Sequence, residues 1–292
     1  MICPHIHIMG AGLIGSSLAR ALKAQNLCQT LSIYDHSPDH RHLCQTHHIG
    51  DIVCQDITQE VEKADIVVLC TPIGTFGNIA QHIGPHLKKG AILTDVGSVK
   101  GQIVADILPF LPPDTFFVPG HPVAGTEFSG PLHGFAELFV QRWCILTPIA
   151  QSSPQAVETL TKLWQSCGMK VKNMSPEEHD LVLGLTSHLP HLIAYTIVGT
   201  AVDLQDDVKH DVIELSAGGF RDFTRIAASD PTMWRDIFLK NKEPVLDILS
   251  RFTKDLEILK SAIEDGHGNV LFEHFSRTSS IRKAVVEAKQ DT

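Results

Sequence analysis

Apolar positions in the first half of the chain come as short runs separated by segments with helical spacing. Runs of β type fall at residues 5–9, 31–35, 65–71, 91–96, 115–119 and 143–147. Between them, residues 15–24, 75–83 and 99–111 carry apolar side chains at helical intervals. The runs IVVLC and AILTDV are nearly all apolar. Strands buried on both faces read this way, which predicts a parallel sheet covered by helices. A helix over 153–168 and a strand over 170–174 close this half.

Beyond Met174 only helical patterns remain. Ser175-Pro176-Glu177-Glu178 is a helix start, with Ser as N-cap, Pro at the first helical position and Glu three residues after the cap. The pattern predicts a helix to about Leu204, kinked at Pro190. Asp230-Pro231 opens another helix. Val245, Leu249, Phe252, Leu256, Leu259 and Ile263 then form one stripe, suited to a core or a dimer seam. The expected organisation is an α/β domain over residues 1–174 followed by an all-helical domain over 175–292.

The chain length of 292 residues suits two domains of roughly 150 each. A formal net charge of −9 argues against a broadly basic nucleic-acid surface. Seven cysteines, without a C-x-x-C pair, read as reduced core residues of a cytoplasmic protein. No basic segment precedes an apolar run at the start, so no secretory signal is expected. The longest apolar stretch, 189–202, is too short to span a bilayer. Five histidines around Cys44 match no familiar zinc spacing, and no metal is expected.

Gly10-Ala11-Gly12-Leu13-Ile14-Gly15 fits G-x-G-x-x-G. Here the motif follows a strand, opens a helix and lies in a βαβ unit ending at Asp35, twenty residues past Gly15. That context makes it a dinucleotide-binding turn of Rossmann type. The glycines allow the tight turn and the close approach of a pyrophosphate to helix amides. Asp35 is suited to accept bonds from the adenosine ribose, and His36-Ser37 supplies no Arg for a 2′-phosphate, so NAD is favoured over NADP. Thr71-Pro72 ends a strand expected to pass the nicotinamide-side ribose. The plainer alternatives are a glycine turn capped by Asp35 and an ordinary strand-ending proline.

Val118 to Glu127 reads VPGHPVAGTE, with His121 between Gly and Pro at the carboxyl end of a predicted strand. A second such end carries Asp95-Val96-Gly97-Ser98-Val99-Lys100. A histidine beside a nicotinamide can take a hydroxyl proton as hydride leaves the same carbon. One histidine among 17 carries little weight alone, and a turn histidine bonded to backbone is the alternative.

Together with S-H-L-P-H at 187–191 and G-G-F-R-D-F-T-R-I-A at 218–227, these motifs resemble the prephenate/arogenate dehydrogenase family of tyrosine biosynthesis. The resemblance spans residues 10–227 and extends to the family's helical dimerising domain. It implies NAD-dependent oxidative decarboxylation of prephenate, with arogenate, or both substrates, as the rival. His121 resembles the catalytic histidine and Ser98 the serine that orients it. Arg225 resembles the arginine that binds a substrate carboxylate, with Glu127 and Asp222 as its ionic partners and Thr126 beside them. His191, His188 and Ser187 resemble residues around the substrate's tail. Gly184, His188, His191 and Tyr195 share one helix face, which suits that role. The alternatives are backbone groups satisfied near the Pro190 kink, and a structural Arg225–Asp222 pair. A homodimer is expected through the helical half, with no nucleic-acid or membrane partner. Further rivals are another two-domain dehydrogenase and a non-catalytic NAD-binding redox sensor.

Overall fold

A computed structural model describes residues 1–126, 128–203 and 218–287. The chain folds as two compact units, Met1–Lys242 and Glu243–Thr292.

The first unit is built on a six-stranded sheet of order β3-β2-β1-β4-β5-β6. Its strands are β1 (Cys3–Met9), β2 (Cys28–Tyr34), β3 (Ile52–Val53), β4 (Ile66–Leu69), β5 (Ile92–Asp95) and β6 (Phe116–Val118). All its pairings are parallel, with Ile8 beside Ile33 on one side and Val68 on the other. Parallel strands need crossovers, and α1 (Leu13–Ala24), α2 (Pro38–Thr46), α3 (Phe76–Ile83) and α4 (Gly101–Ile107) supply four of them. One face of the sheet packs Ile6, Ile8 and Val68 with Leu18 and Leu22 of α1, Phe139 and Trp164. The other packs Val67 and Leu69 with Phe76, Ile103, Phe117 and Trp234. Two covered faces explain why these strands lack alternation.

The histidine-rich stretch after Asp35 forms α2, which the apolar pattern does not predict. Only Cys44 of this helix is buried, so apolar periodicity is missing. Its start is set by capping: Ser37 accepts from the His40 amide, and Pro38 occupies the first turn. A second sheet holds β7 (Gly120–Val123), β8 (Trp143–Leu146) and β9 (Lys170–Asn173). β7 runs antiparallel to β8, so His121 sits on a strand of this second sheet, neither at the end of the strand predicted over 115–119 nor in a turn. α5 (Pro154–Ser166) precedes β9.

Downstream, α6 (Pro176–Leu183) passes through a π turn (Gly184–His188) into α7 (Leu189–Val202). The π turn accommodates Pro190, which lacks the amide an α-helix needs there. The His191 ring also returns an N–H to the Ser187 carbonyl, at 2.8 Å. A π turn thus lies just before Pro190, and Pro176–Ala201 is one 26-residue helix with an 18-residue window of mean hydropathy 1.5. By length and composition it could cross a membrane, unlike the shorter stretch read from sequence. Its His179, Asp180 and His188 are buried, however, and bond to groups of the same compact unit. After α8 (Gly218–Thr224), Asp230 caps α9 (Pro231–Lys240) through the Met233 amide.

The second unit consists of most of α10 (Lys242–Glu264) and all of α11 (Gly268–Glu287). Val245, Ile248 and Ala262 are buried, while Leu256, Ile258, Ile263, Phe272 and Phe275 are exposed.

Candidate active site

At the carboxyl edge of the large sheet, β1 turns into α1 through Gly10, whose φ is +101°. A Cβ there would lie 2.7 Å from the Cys70 carbonyl carbon, so the turn requires glycine. Gly15 packs against Gly10 and Cys70, which draws helix and strand together. Gly12 is the helix N-cap, with no side-chain cap, and a Cβ on it would point into open space. The first amides of α1 are thus left to a ligand, as an anionic pyrophosphate requires. Leu13 and Ile14 begin the helix and pack against the core.

Asp35 lies buried at the end of β2 and accepts from the Ala11 amide at 2.7 Å and the Ser37 amide at 2.9 Å. These bonds fix its carboxylate beside the glycine turn. The residues present fit a dinucleotide with a free ribose 2′-hydroxyl. Arg41, six residues on, donates to the carbonyls of Asp35 and His36 at 2.7 and 3.0 Å. A cation therefore stands near the adenosine end although none adjoins Asp35 in sequence. Thr71 and Pro72 follow β4, where the Thr71 and Thr75 hydroxyls bond at 2.8 Å.

Two strands across from β1, the end of β5 is tied to the start of β7 by a buried ion pair. Lys100 Nζ donates to Asp95 at 2.5 Å and to the Gly120 carbonyl at 2.7 Å, with both side chains fully buried. Asp95 also accepts from the Gly97 and Gly120 amides. This knot fixes the strand that presents His121. His121 Nδ1 lies 2.9 Å from His179 Nε2, and His179 Nδ1 lies 2.8 Å from Asp180 Oδ1. The Lys100 and Gly101 amides donate to Asp180 at 2.7 and 2.8 Å. Burial, with His179, Lys100 and His188 nearby, holds His121 well below the ordinary imidazole range. His121 is therefore neutral at physiological pH and able to accept a proton.

The Ser98 hydroxyl is partly exposed and makes no hydrogen bond to a protein group among the described residues. The bonded partner of His121 is His179. Ser98 instead lies near His188, its main chain within electrostatic reach of that ring. His188 accepts at Nδ1 from the Asn241 amide group at 2.9 Å, which assigns its proton to Nε2. Burial pushes the His188 pKa down to about 4. His191 stacks on Trp234, with centroids 3.7 Å apart. Burial and the Arg225 charge lower its pKa. Tyr195, on the same helix face, donates to the Ser229 carbonyl at 2.7 Å.

Arg225 and Asp222 are exposed, Arg225 at the start of a 3₁₀ turn (Arg225–Ala228) and Asp222 three residues earlier. His121 and His188 are buried and His191 half-buried in the same compact unit as the exposed Arg225. Thr126 is exposed after β7 and accepts from the Phe128 amide. Glu127 lies outside the described residues. His179, Asp180, Asn241 and Trp234 surround His121, His188 and His191 although no sequence motif contains them, and Lys100, which ends the Asp95–Lys100 motif, carries no role in the sequence reading. The adjacent His179-Asp180 pair, just after a helix start, is the available signal.

The arrangement joins a glycine turn for a dinucleotide to a buried neutral imidazole and, further out, a guanidinium. The family model described as prephenate dehydrogenase, nucleotide-binding domain, matches residues 18–173. The model for the prephenate dehydrogenase dimerization domain matches residues 175–277. A cyclohexadienyl dehydrogenase of Zymomonas mobilis is 43% identical over 281 residues, 96% of each chain. A prephenate dehydrogenase of Bacillus subtilis is 33% identical over 95% of this chain and 75% of its own. Among solved structures, a prephenate dehydrogenase of Aquifex aeolicus in complex with hydroxyphenyl propionate and NAD+ superposes with a TM-score of 0.89. It is 36% identical and covers 97% of this chain and 98% of its own.

Proposed function

The chain belongs to the prephenate dehydrogenase family, and from that premise we propose that it oxidises and decarboxylates prephenate to 4-hydroxyphenylpyruvate with NAD. The observation that carries this reading is the neutral, buried His121, next to Gly120, whose amide bonds to Asp95 at the carboxyl end of β5 in the sheet that bears the glycine turn. Bound there, NAD+ supplies the hydride acceptor. The Gly12 turn and Asp35 hold the dinucleotide, and the carboxylate at Asp35 disfavours a 2′-phosphate. His121 takes the proton of the ring hydroxyl as the carbonyl forms. Loss of the ring carboxylate as CO2 aromatises the ring, so no free carbanion needs stabilising. Orientation and charge recognition are the protein's main tasks. Arg225 recognises a substrate carboxylate, and Glu127 and Asp222 hold Arg225. His191, His188 and Thr126 border the substrate, while Ser98 faces the hydroxyl from the end of β5.

We assign residues 1–174 to the nucleotide half and 175–292 to the substrate and dimerisation half, a boundary supported by family models that meet there. The enzyme acts as a cytoplasmic homodimer through its helical half, without nucleic acid or membrane. The exposed apolar residues of α10 and α11 support that pairing. A second reading, activity on arogenate as well, is favoured by the 43%-identical cyclohexadienyl dehydrogenase. None of the named relatives is a redox sensor.

NADH formation from NAD+ and prephenate tests the reading directly, and the same assay with arogenate sets the preference. His121→Asn should lower kcat by about 10²–10⁴-fold while NAD affinity stays near normal. Absence of NADH formation by the wild-type protein with either substrate would overturn the proposal.

A further inference from the structure

The base needs a lone pair on the nitrogen that faces the substrate, and neutral imidazole has only one. Which nitrogen keeps it is decided by what the other one bonds. The ring of His121 offers Nδ1 to His179, not to solvent. Asp180 is acceptor-only when ionised, and its carboxylate already receives the amides of Lys100 and Gly101. His179 must therefore give its Nδ1 proton to Asp180, at 2.8 Å. His179 is buried and held neutral by that burial, so its Nε2 is left as an acceptor. Only His121 can supply the proton between the two rings. The reverse polarity would put a lone pair of His179 against the carboxylate of Asp180.

We propose that His179, anchored by Asp180, is a positioning residue that fixes His121 as its Nδ1–H tautomer and so leaves Nε2 as the proton acceptor. This rests on the reading of His121 as the base. The proton removed from the substrate hydroxyl forms a new N–H bond at Nε2, and the O–H electron pair becomes part of the carbonyl. The Nδ1 proton stays on His121, where the new imidazolium is met by the His179 lone pair with a carboxylate behind it. A serine protease uses an aspartate in the same way, to select a tautomer and to stabilise the imidazolium. Here a second histidine stands between the base and the carboxylate. The anchor also couples the two halves of the site: Asp180 lies on α6, whereas the amides it accepts from open α4, beside Ser98.

The test uses the full-length protein with 15N-labelled histidine, and His121 is assigned by the signals lost in His121→Asn. In the wild type, Nδ1 of His121 should appear as the protonated nitrogen and Nε2 as the unprotonated one. His179→Leu should release the ring to the opposite tautomer or a mixture. It should lower kcat about 10–100-fold, part of what a general base contributes, with KM for prephenate and NAD affinity within about twofold. His179→Gln, whose side-chain carbonyl can still accept from Nδ1, should restore the tautomer and part of the rate. An Nε2–H ring in the wild type, or unchanged kcat in His179→Leu, would overturn the proposal; so would a change in KM alone. If His179→Leu does not fold, the wild-type spectrum and His179→Gln decide. A protein that shows the tautomer but oxidises neither substrate refutes the functional reading and leaves the His179-set tautomer of His121 intact.

Discussion

Replacing Lys100 with Met should destabilise the protein by about 3–5 kcal/mol, the usual cost of removing one partner from a buried ion pair. Both charges lie wholly out of solvent, with Nζ 2.5 Å from Asp95. The substitution preserves most of the side chain's volume, so little of the loss comes from a cavity. What it leaves is a carboxylate held only by the Gly97 and Gly120 amides. The Gly120 carbonyl also loses its Lys100 donor, and an unmade buried bond costs about 1–3 kcal/mol by itself. Against a typical total of about 5–15 kcal/mol, the loss is large. At about 2–4 °C per kcal/mol, it corresponds to a fall in Tm of roughly 6–20 °C. The carboxylate is the source of most of the penalty, so Asp95→Asn combined with Lys100→Met should recover much of it. Urea unfolding of wild type, both single variants and the double variant gives the coupling energy. Because Gly120 immediately precedes His121, kcat should fall in Lys100→Met as well. A single-variant loss under about 1 kcal/mol, or a double variant no better than Lys100→Met, would refute the reasoning.

Arg225→Ala should raise KM for prephenate about tenfold to a hundredfold, the equivalent of a charge-assisted bond of about 1.5–3 kcal/mol, with kcat little changed; an unaltered KM returns Arg225 to a surface role. Asp35→Ser should shift the kcat/KM ratio toward NADP, because Arg41 then stands near the ribose without an opposing carboxylate, and Asp35→Ser with Arg41→Ala should not; equal ratios in the two variants count against a role for Arg41. Acid stability has a defined sign at His7, whose pKa burial pushes down to about 3. Between about pH 6.5 and 3 the unfolded chain carries a proton there that the folded chain does not, so stability falls with pH by up to about 1.4 kcal/mol per unit. His7→Gln should flatten the pH dependence of urea unfolding by one proton's worth, and an unchanged slope contradicts the assignment.

The nucleotide half is legible in the sequence because its signals are local. Gly10 needs its positive φ, Gly15 must sit against Gly10, and all-apolar strands announce a covered sheet; each constraint acts within a few residues of the position it marks. The substrate half depends on pairs far apart in the chain. His121 and His179 meet across 58 positions, and Lys100 meets Asp180 across 80. Neither distance leaves a periodicity. α2 is hidden for the opposite reason, since a helix burying only one residue has a capping signature but no apolar stripe. His121 reads as the end of the strand predicted over 115–119, yet Gly120 opens a separate short strand in a small second sheet, which tolerates both Gly120 and Pro122. Lys100 illustrates how chemistry outweighs composition. Asp95, five residues earlier, draws Lys100 into the core, and the pair ties down the residue before the base. The order of dependence runs from that ion pair to the β7 backbone, from Asp180 to His179, and from both to one imidazole. A variant that loosens either support should therefore impair the chemistry before it weakens dinucleotide binding, because the glycine turn and Asp35 draw on neither.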